Sequence, residues 1–160
     1  MNCVETPEPL PGYRPCVGIF LLNLAGLVFV GQRLDTRVDA WQMPQGGIDL
    51  RENPAVAARR EMQEEIGTGA DLLQESAVWR SYDLPPEIAG RMWKGRYRGQ
   101  TQKWLAFRFR GRDEDIRLDG LHPEFRDWRW IRPEQLAELI VPFKRDVYLS
   151  VVDEFRRQWA

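Results

Sequence analysis

The sequence predicts an α/β fold of the α+β kind, a mixed β-sheet sandwiched between α-helices, in a single domain spanning residues 1–160. Three observations predict it. Short runs of β-branched, aromatic and leucine residues, bounded by glycine and proline, recur along the chain as strands do. One segment carries explicit helix start and stop signals, and the C-terminal segment repeats its apolar residues at helical spacing. Strands interleaved with helices pack most simply as layers around one sheet.

Residues 1–11, MNCVETPEPLP, place acidic residues and prolines ahead of any apolar run and read as a flexible lead. CVGIFLLN and LVFVGQR, separated by Ala25 and Gly26, read as two strands joined by a short turn. Residues 41–49 form a loop punctuated by Pro44, Gly46 and Gly47. Asn53 is placed to cap a helix that Pro54 opens, and Gly67 supplies the left-handed stop after Ile66. A strand around residues 77–82 follows, then the long loop LPPEIAGRMWKGRYRGQT, then strands at QKWLAFRFR and RDWRWI. Pro133 opens a short helix reaching Ile140. Tyr148, Val151, Val152, Phe155 and Trp159 fall on one face of a last helix that must pack on the sheet.

The chain is long enough to bury ~68–70% of the surface its unfolded form exposes, so it folds without staples. Lys+Arg 23 against Asp+Glu 24 gives a formal charge of -1, which excludes a polycation that coats nucleic acid indiscriminately. Any anion site must be local, and it must be largely arginine, because lysine occurs only at Lys94, Lys103 and Lys144. Cys3 and Cys16 lack CxxC spacing and His122 is the only histidine, which argues against a zinc site or a histidine-based triad. The apolar run 17–22 is far too short to cross a bilayer, and the N-terminus is unlike a secretory signal. A reduced, cytoplasmic protein is expected.

The chemistry is concentrated in WQMPQGGIDLRENPAVAARREMQEEIGTG, residues 41–69. At 100° per residue, Ala55, Ala58, Met62 and Ile66 share an arc of roughly 80° that faces the core. Glu61, Glu64 and Glu65 occupy the neighbouring arc. Glu61 has Glu65 at i+4, a like-charge spacing that costs ~0.2–0.5 kcal/mol. Carboxylates near a helix C-terminus also oppose its dipole, by ~0.3–1 kcal/mol each. Local helix physics disfavours the cluster, and a hard divalent cation would neutralise it, since carboxylate oxygens are what Mg²⁺ or Mn²⁺ prefer. A solvated acidic face with Arg59 and Arg60 as partial counter-ions is the alternative.

Gly46, Glu52, Arg60, Glu61, Glu64, Glu65 and Gly67 stand at the spacing of the Nudix box, here residues 46–68, and the sequence resembles a Nudix hydrolase. One position departs: Thr68 stands where a large aliphatic residue is usual. The resemblance implies hydrolysis of a nucleoside diphosphate linked to another moiety, with Mg²⁺, Mn²⁺ or another divalent cation held by Glu61, Glu64 and Glu65. Glu61 and Glu64 are the expected catalytic pair, Glu61 being the favoured base. It also implies an ion pair between Arg60 and Glu52 that fixes the loop to the helix.

Beyond the box, GYRPCVGI, GQTQKWLAF, PEFRDWRW and PFKRDVY resemble the bacterial RNA pyrophosphohydrolase and dinucleoside polyphosphate hydrolase subgroup. That likeness implies a fourth metal carboxylate at Glu124, an exposed loop glutamate being the alternative, and puts Arg14 near the terminal nucleotide. Phe143 with Lys144 pairs a stacking ring with a cation, a plain helix N-terminus being the alternative, and Arg33, Tyr82, Gln102 and Lys103 complete the expected substrate contacts. The stretch RMWKGRYRGQTQKW mixes cations with Trp93, Tyr97 and Trp104, a combination used on single-stranded nucleic acid. Trp41, Trp128 and Trp130 read instead as core. The implied activity is conversion of 5′-triphosphate RNA to the 5′-monophosphate, with asymmetric hydrolysis of diadenosine tetraphosphate as the alternative. A binding module that senses nucleotides is disfavoured because every box glutamate is kept. No DNA or membrane partner is expected, and a protein partner is not readable from the sequence.

Overall fold

Strand β2 (Arg14–Leu22) is buried from Cys16 onward, as its unbroken apolar sequence requires of a central strand. It organises the computed structural model, which describes residues 3–34 and 40–160. On one side β2 runs parallel to β7 (Gly99–Arg108), in register from Arg14 opposite Gln100 to Leu22 opposite Arg108. Strand β7 pairs antiparallel with β6 (Asp71–Asp83), and β6 with the edge strand β1 (Val4–Thr6). On the other side β3 (Val28–Arg33) meets β2 only at Leu22 opposite Val28. It then diverges to pair with β4 (Trp41–Gln42) and β8 (Phe125–Ile131). The opening is filled by β5 (Gln45–Gly47), which pairs with Cys16 to Gly18 of β2. One parallel pair among antiparallel ones makes the sheet mixed, as expected.

Side chains alternate across the sheet with the two-residue strand period. Val17, Ile19 and Leu21 of β2 face α1 (Pro54–Ile66), where they join Ala57, Ala58, Met62 and Ile66. Phe20, Leu22, Trp104 and Ala106 face the opposite layer, α4 (Arg145–Glu154), through Tyr148, Val151 and Phe155. The α4 layer is pinned by Arg80, 2% exposed on β6. Its guanidinium donates to Glu154 Oε1 at 2.8 Å and to Ser76 Oγ and Ser150 Oγ at 3.0 Å.

The structure corrects several boundaries. The expected flexible lead over 1–11 contains β1, whose Val4, Glu5 and Thr6 pair with Ser81, Arg80 and Trp79; Met1 and Asn2 lie outside the described residues. Strand β6 begins at Asp71, well before residue 77. The expected loop holds a short helix α2 (Pro86–Ala89) and a single turn at Met92–Gly95. The helix opened by Pro133 starts as a 3₁₀ turn and continues as α3 (Leu136–Leu139). The last helix breaks at Phe155 (φ -92, ψ 13) before α5 (Arg156–Trp159), which lets Phe155 turn fully into the core. Among the described residues no helix is long and apolar enough to cross a membrane.

Candidate active site

Helix α1 is placed by its own ends. Asn53 Oδ1 accepts the Val56 amide at 2.9 Å, and Gly67, at φ 72, donates its amide to Gln63 O at 3.1 Å, closing the final turn. Thr68, at the departing box position, is half-buried and donates its hydroxyl to Gly69 O. Ala57 takes the buried place that the helical wheel gave to Ala55, which is half-buried.

The helix is tied to the loop before it by one arginine. Arg60 grips Glu52 with two bonds, Nε to Oε2 at 2.7 Å and Nη2 to Oε1 at 2.9 Å, and Nη2 also donates to Gly47 O at 2.8 Å. Glu52 Oε1 accepts the Asp49 amide in turn. Hydrogen bonds from Arg60 hold the Glu52 carboxyl at about 2, well below the ordinary carboxylate range. The remaining Arg60 nitrogen reaches Glu61 at 3.0 Å and Glu64 at 3.4 Å. Arg60 is therefore a counter-ion shared among four carboxylates, Asp49, Glu52, Glu61 and Glu64.

Glu65 is left out of that sharing. It is 5% exposed, and its Oε2 is the only buried side-chain nitrogen or oxygen without a partner among the described residues. Burial pushes its pKa well above the usual value, and Glu61, Glu124 and Glu64 push it further. Burial also raises Glu61, with Arg60 opposing. The Glu61 carboxylate lies against the Gly46 backbone, so closely that a Cβ on Gly46 would fall 2.0 Å from its carboxyl carbon. Glycine is required there to let the loop approach the acid.

Glu61, Glu65 and Glu124 line one cavity of about 270 Å³, together with Arg14, Arg33 and Gly47. Glu64, exposed on the helix, reaches it only through Arg60. In this arrangement no three acidic, histidine or cysteine side chains among the described residues converge as a ready-made metal site, and Arg60 pairs with Glu61 and Glu64. The donor set nevertheless fits a hard divalent cation: an orphaned buried oxygen on Glu65 has two further carboxylates on the same cavity.

A second cavity of about 300 Å³ adjoins the first and shares Arg33, Gln45, Trp93 and Gln100 with it. Its own walls are Tyr82, Phe143, Val141 and Ile140, with Lys144 at one side. The Tyr82 and Phe143 rings are 6.0 Å apart. Arg14 sits 5.1 Å over Trp93, whose backbone is held at φ 49. One cavity is thus acidic with arginines, its neighbour apolar and aromatic. A larger hollow beside Cys3 and Leu149 lies on the α4 face, away from the box glutamates.

Of the predicted substrate residues, Arg14, Arg33, Tyr82, Phe143 and Lys144 come to these two cavities. Gln102 does not; it is 1% exposed beneath them. Lys103, on the opposite face of β7, points to Glu75 at 3.9 Å and Trp79 at 5.7 Å. The basic aromatic stretch is not one platform, since Arg98 pairs with Asp83, Arg96 covers Tyr97 and Trp104 is core. Trp41, Trp128 and Trp130 pack as expected, the last two against Phe29. Gln45 and Gln100 were not predicted as site residues. Polar residues at 100 and 102, two apart on a core-facing strand, were the signal for Gln100.

A model of the NUDIX domain matches residues 12–151 of this chain. The chain belongs to the Nudix family. Two Nudix relatives named RNA pyrophosphohydrolase are close in sequence. That of Rhodospirillum rubrum is 58% identical over 156 residues, 93% of this chain and 93% of its own length. That of Novosphingobium aromaticivorans is 58% identical over 149 residues, 90% of this chain and 92% of its own. The solved E. coli dihydroneopterin triphosphate pyrophosphohydrolase shares the Nudix fold, with TM-score 0.64 at 18% identity over 89% of this chain and 98% of that one.

Proposed function

We propose that this Nudix protein removes pyrophosphate from the 5′-triphosphate end of RNA, leaving a 5′-monophosphate, with Mg²⁺ or Mn²⁺ as the required cation. One observation carries the reading: Glu65, which has a buried and unpartnered carboxylate oxygen, lines a cavity that continues directly into an aromatic one. A phosphate chain suits the first space and a nucleobase the second. The relatives named RNA pyrophosphohydrolase support the choice of RNA, because the likeness runs over most of both chains.

Glu65, Glu61 and Glu124 would hold the cation, with Glu64 joining once Arg60 releases it. When bound, the cation neutralises phosphate oxygens and makes a water acidic enough to attack. Glu61 would be the residue that accepts a proton from the attacking water. Its carboxylate lines the acidic cavity against the Gly46 backbone, which favours this role. Arg14 and Arg33 bind phosphate oxygens as planar, bidentate donors, and Lys144 adds a point charge. Tyr82 and Phe143 hold the base by its faces. Trp93, on the rim of both cavities, offers a further aromatic face that suits the second base of a dinucleoside polyphosphate, the alternative substrate.

Pyrophosphate release from 5′-triphosphate RNA, measured with and without chelator, tests the reading. Stoichiometric pyrophosphate and 5′-monophosphate RNA, both lost with chelator and in Glu61→Gln, are expected. Absence of turnover with either cation would overturn it.

A further inference from the structure

One face of β7 carries a hydrogen-bonded relay whose direction is set by its first member. Trp104 is fully buried, its ring laid against Gly18, where a Cβ would fall 2.3 Å from the indole, and edge-on to Tyr148. The indole N–H can only donate. It donates to Gln102 Oε1 at 2.9 Å, so the other end of the Gln102 amide is a donor. Gln102 Nε2 gives its two hydrogens to Gln100 Oε1 at 2.8 Å and Gln45 Oε1 at 3.1 Å. Tyr82 donates to the same Gln100 oxygen at 2.8 Å.

Both acceptor ends are therefore committed inward. Gln100 Nε2 makes no hydrogen bond among the described residues. It is also absent from the buried unpartnered atoms, of which Glu65 Oε2 is the only one, so it opens onto the space that Gln100 lines. Gln45 Nε2 has only a long 3.5 Å contact to Gln100. Gln45 and Gln100 line both cavities, at the junction where the sugar and phosphate of a bound nucleotide would lie.

We infer that Trp104 and Gln102 are positioning residues for substrate recognition, fixing the Gln100 and Gln45 amides so that both present N–H donors to a phosphate oxygen of the bound nucleotide. The inference rests on the proposed function. A phosphate oxygen accepts and never donates, so an amide turned the other way would face it with a carbonyl. Neither Trp104 nor Gln102 touches substrate.

The test is a double-mutant cycle on the KM for 5′-triphosphate RNA. Gln102→Leu removes the donor that holds both amides, leaving the Gln100 oxygen to Tyr82 alone and the Gln45 oxygen without its bond from Gln102. A hydrogen bond to a charged group is worth roughly tenfold or more in binding, so KM should rise about tenfold while kcat changes less than about threefold. In a background carrying both Gln100→Leu and Gln45→Leu, the same substitution should add less than about threefold. General distortion would instead multiply the effects, and that result would overturn the relay. Trp104→Phe should raise KM in the same direction.

A readout on the unmodified protein does not depend on variants folding. On titration with ADP, the side-chain amide resonances of Gln100 and Gln45 should shift far more than those of Gln102 or the Trp104 indole. Binding of ADP with an unmoved Gln100 amide would overturn the relay and leave the proposed function standing. If the wild type neither turns over RNA nor binds ADP, both fall.

Discussion

Replacing Glu65 with glutamine should stabilise the metal-free protein while abolishing turnover. The magnitude follows from what changes. Glutamine keeps the shape and still leaves a polar atom unpartnered at the Oε2 position, so the cost of that orphan is common to both proteins. What disappears is the i,i+4 repulsion from Glu61, ~0.2–0.5 kcal/mol, and the clash with the helix C-terminus, ~0.3–1 kcal/mol. The gain is about 0.5–1.5 kcal/mol, or roughly 1–6 °C in Tm for a domain of this size. The sign with pH is also fixed. Glu65 holds its proton more tightly folded than unfolded, so its contribution is intact below the ordinary 4.5 and lost as pH rises through the folded value. The advantage of Glu65→Gln should therefore vanish in acid and grow toward neutrality. Thermal melts in chelator at several pH values read this directly, and Mg²⁺ should then raise the Tm of the wild type more than that of the variant. A variant less stable than wild type in chelator at neutral pH would refute the reasoning.

Gly46→Ala should keep the fold, because the atoms it meets are the free end of the Glu61 side chain, yet lose most activity by displacing that carboxylate; normal melting with normal turnover would contradict this. Glu52→Gln should cost about 1–3 kcal/mol at neutral pH by breaking the two-bond grip of Arg60. Because the Glu52 pKa is depressed to about 2, its contribution is complete above 4.5 and fades as pH falls through about 2, so urea titrations of wild type and variant should converge in acid. Glu154→Ala should destabilise by about 1–3 kcal/mol, since it removes the nearer carboxylate from the buried Arg80 guanidinium and leaves Glu5 at 3.8 Å, with little change in KM for a substrate bound elsewhere.

The parts of this molecule that were legible in its sequence are those fixed locally. Asn53, Pro54 and Gly67 mark a helix whose bounds the structure reproduces, because capping is decided within a few residues. The arc of Ala58, Met62 and Ile66 is buried as its spacing demands, and Glu65 lies deeper than the edge of that arc suggested. What depends on distant partners was not legible. Strand β1 exists because β6 offers an unpaired edge, which no pattern within residues 1–11 announces. The side of β7 that Lys103 takes follows from its register with Val17 and Trp79, and a residue-type argument placed it with phosphate. Gln102 was expected among the substrate contacts, but it lies buried beneath Gln100 because Trp104, seated against Gly18, donates to it.

The central claim is that the acidic and aromatic cavities together are built for the triphosphate end of RNA. The most direct measurement gives the protein and Mg²⁺ equal concentrations of 5′-triphosphate RNA and diadenosine tetraphosphate, with Glu61→Gln as control, and separates the products by size. Faster conversion of the RNA to its 5′-monophosphate is the predicted result. Faster production of ATP and AMP would contradict it and assign the cleft to dinucleoside polyphosphates.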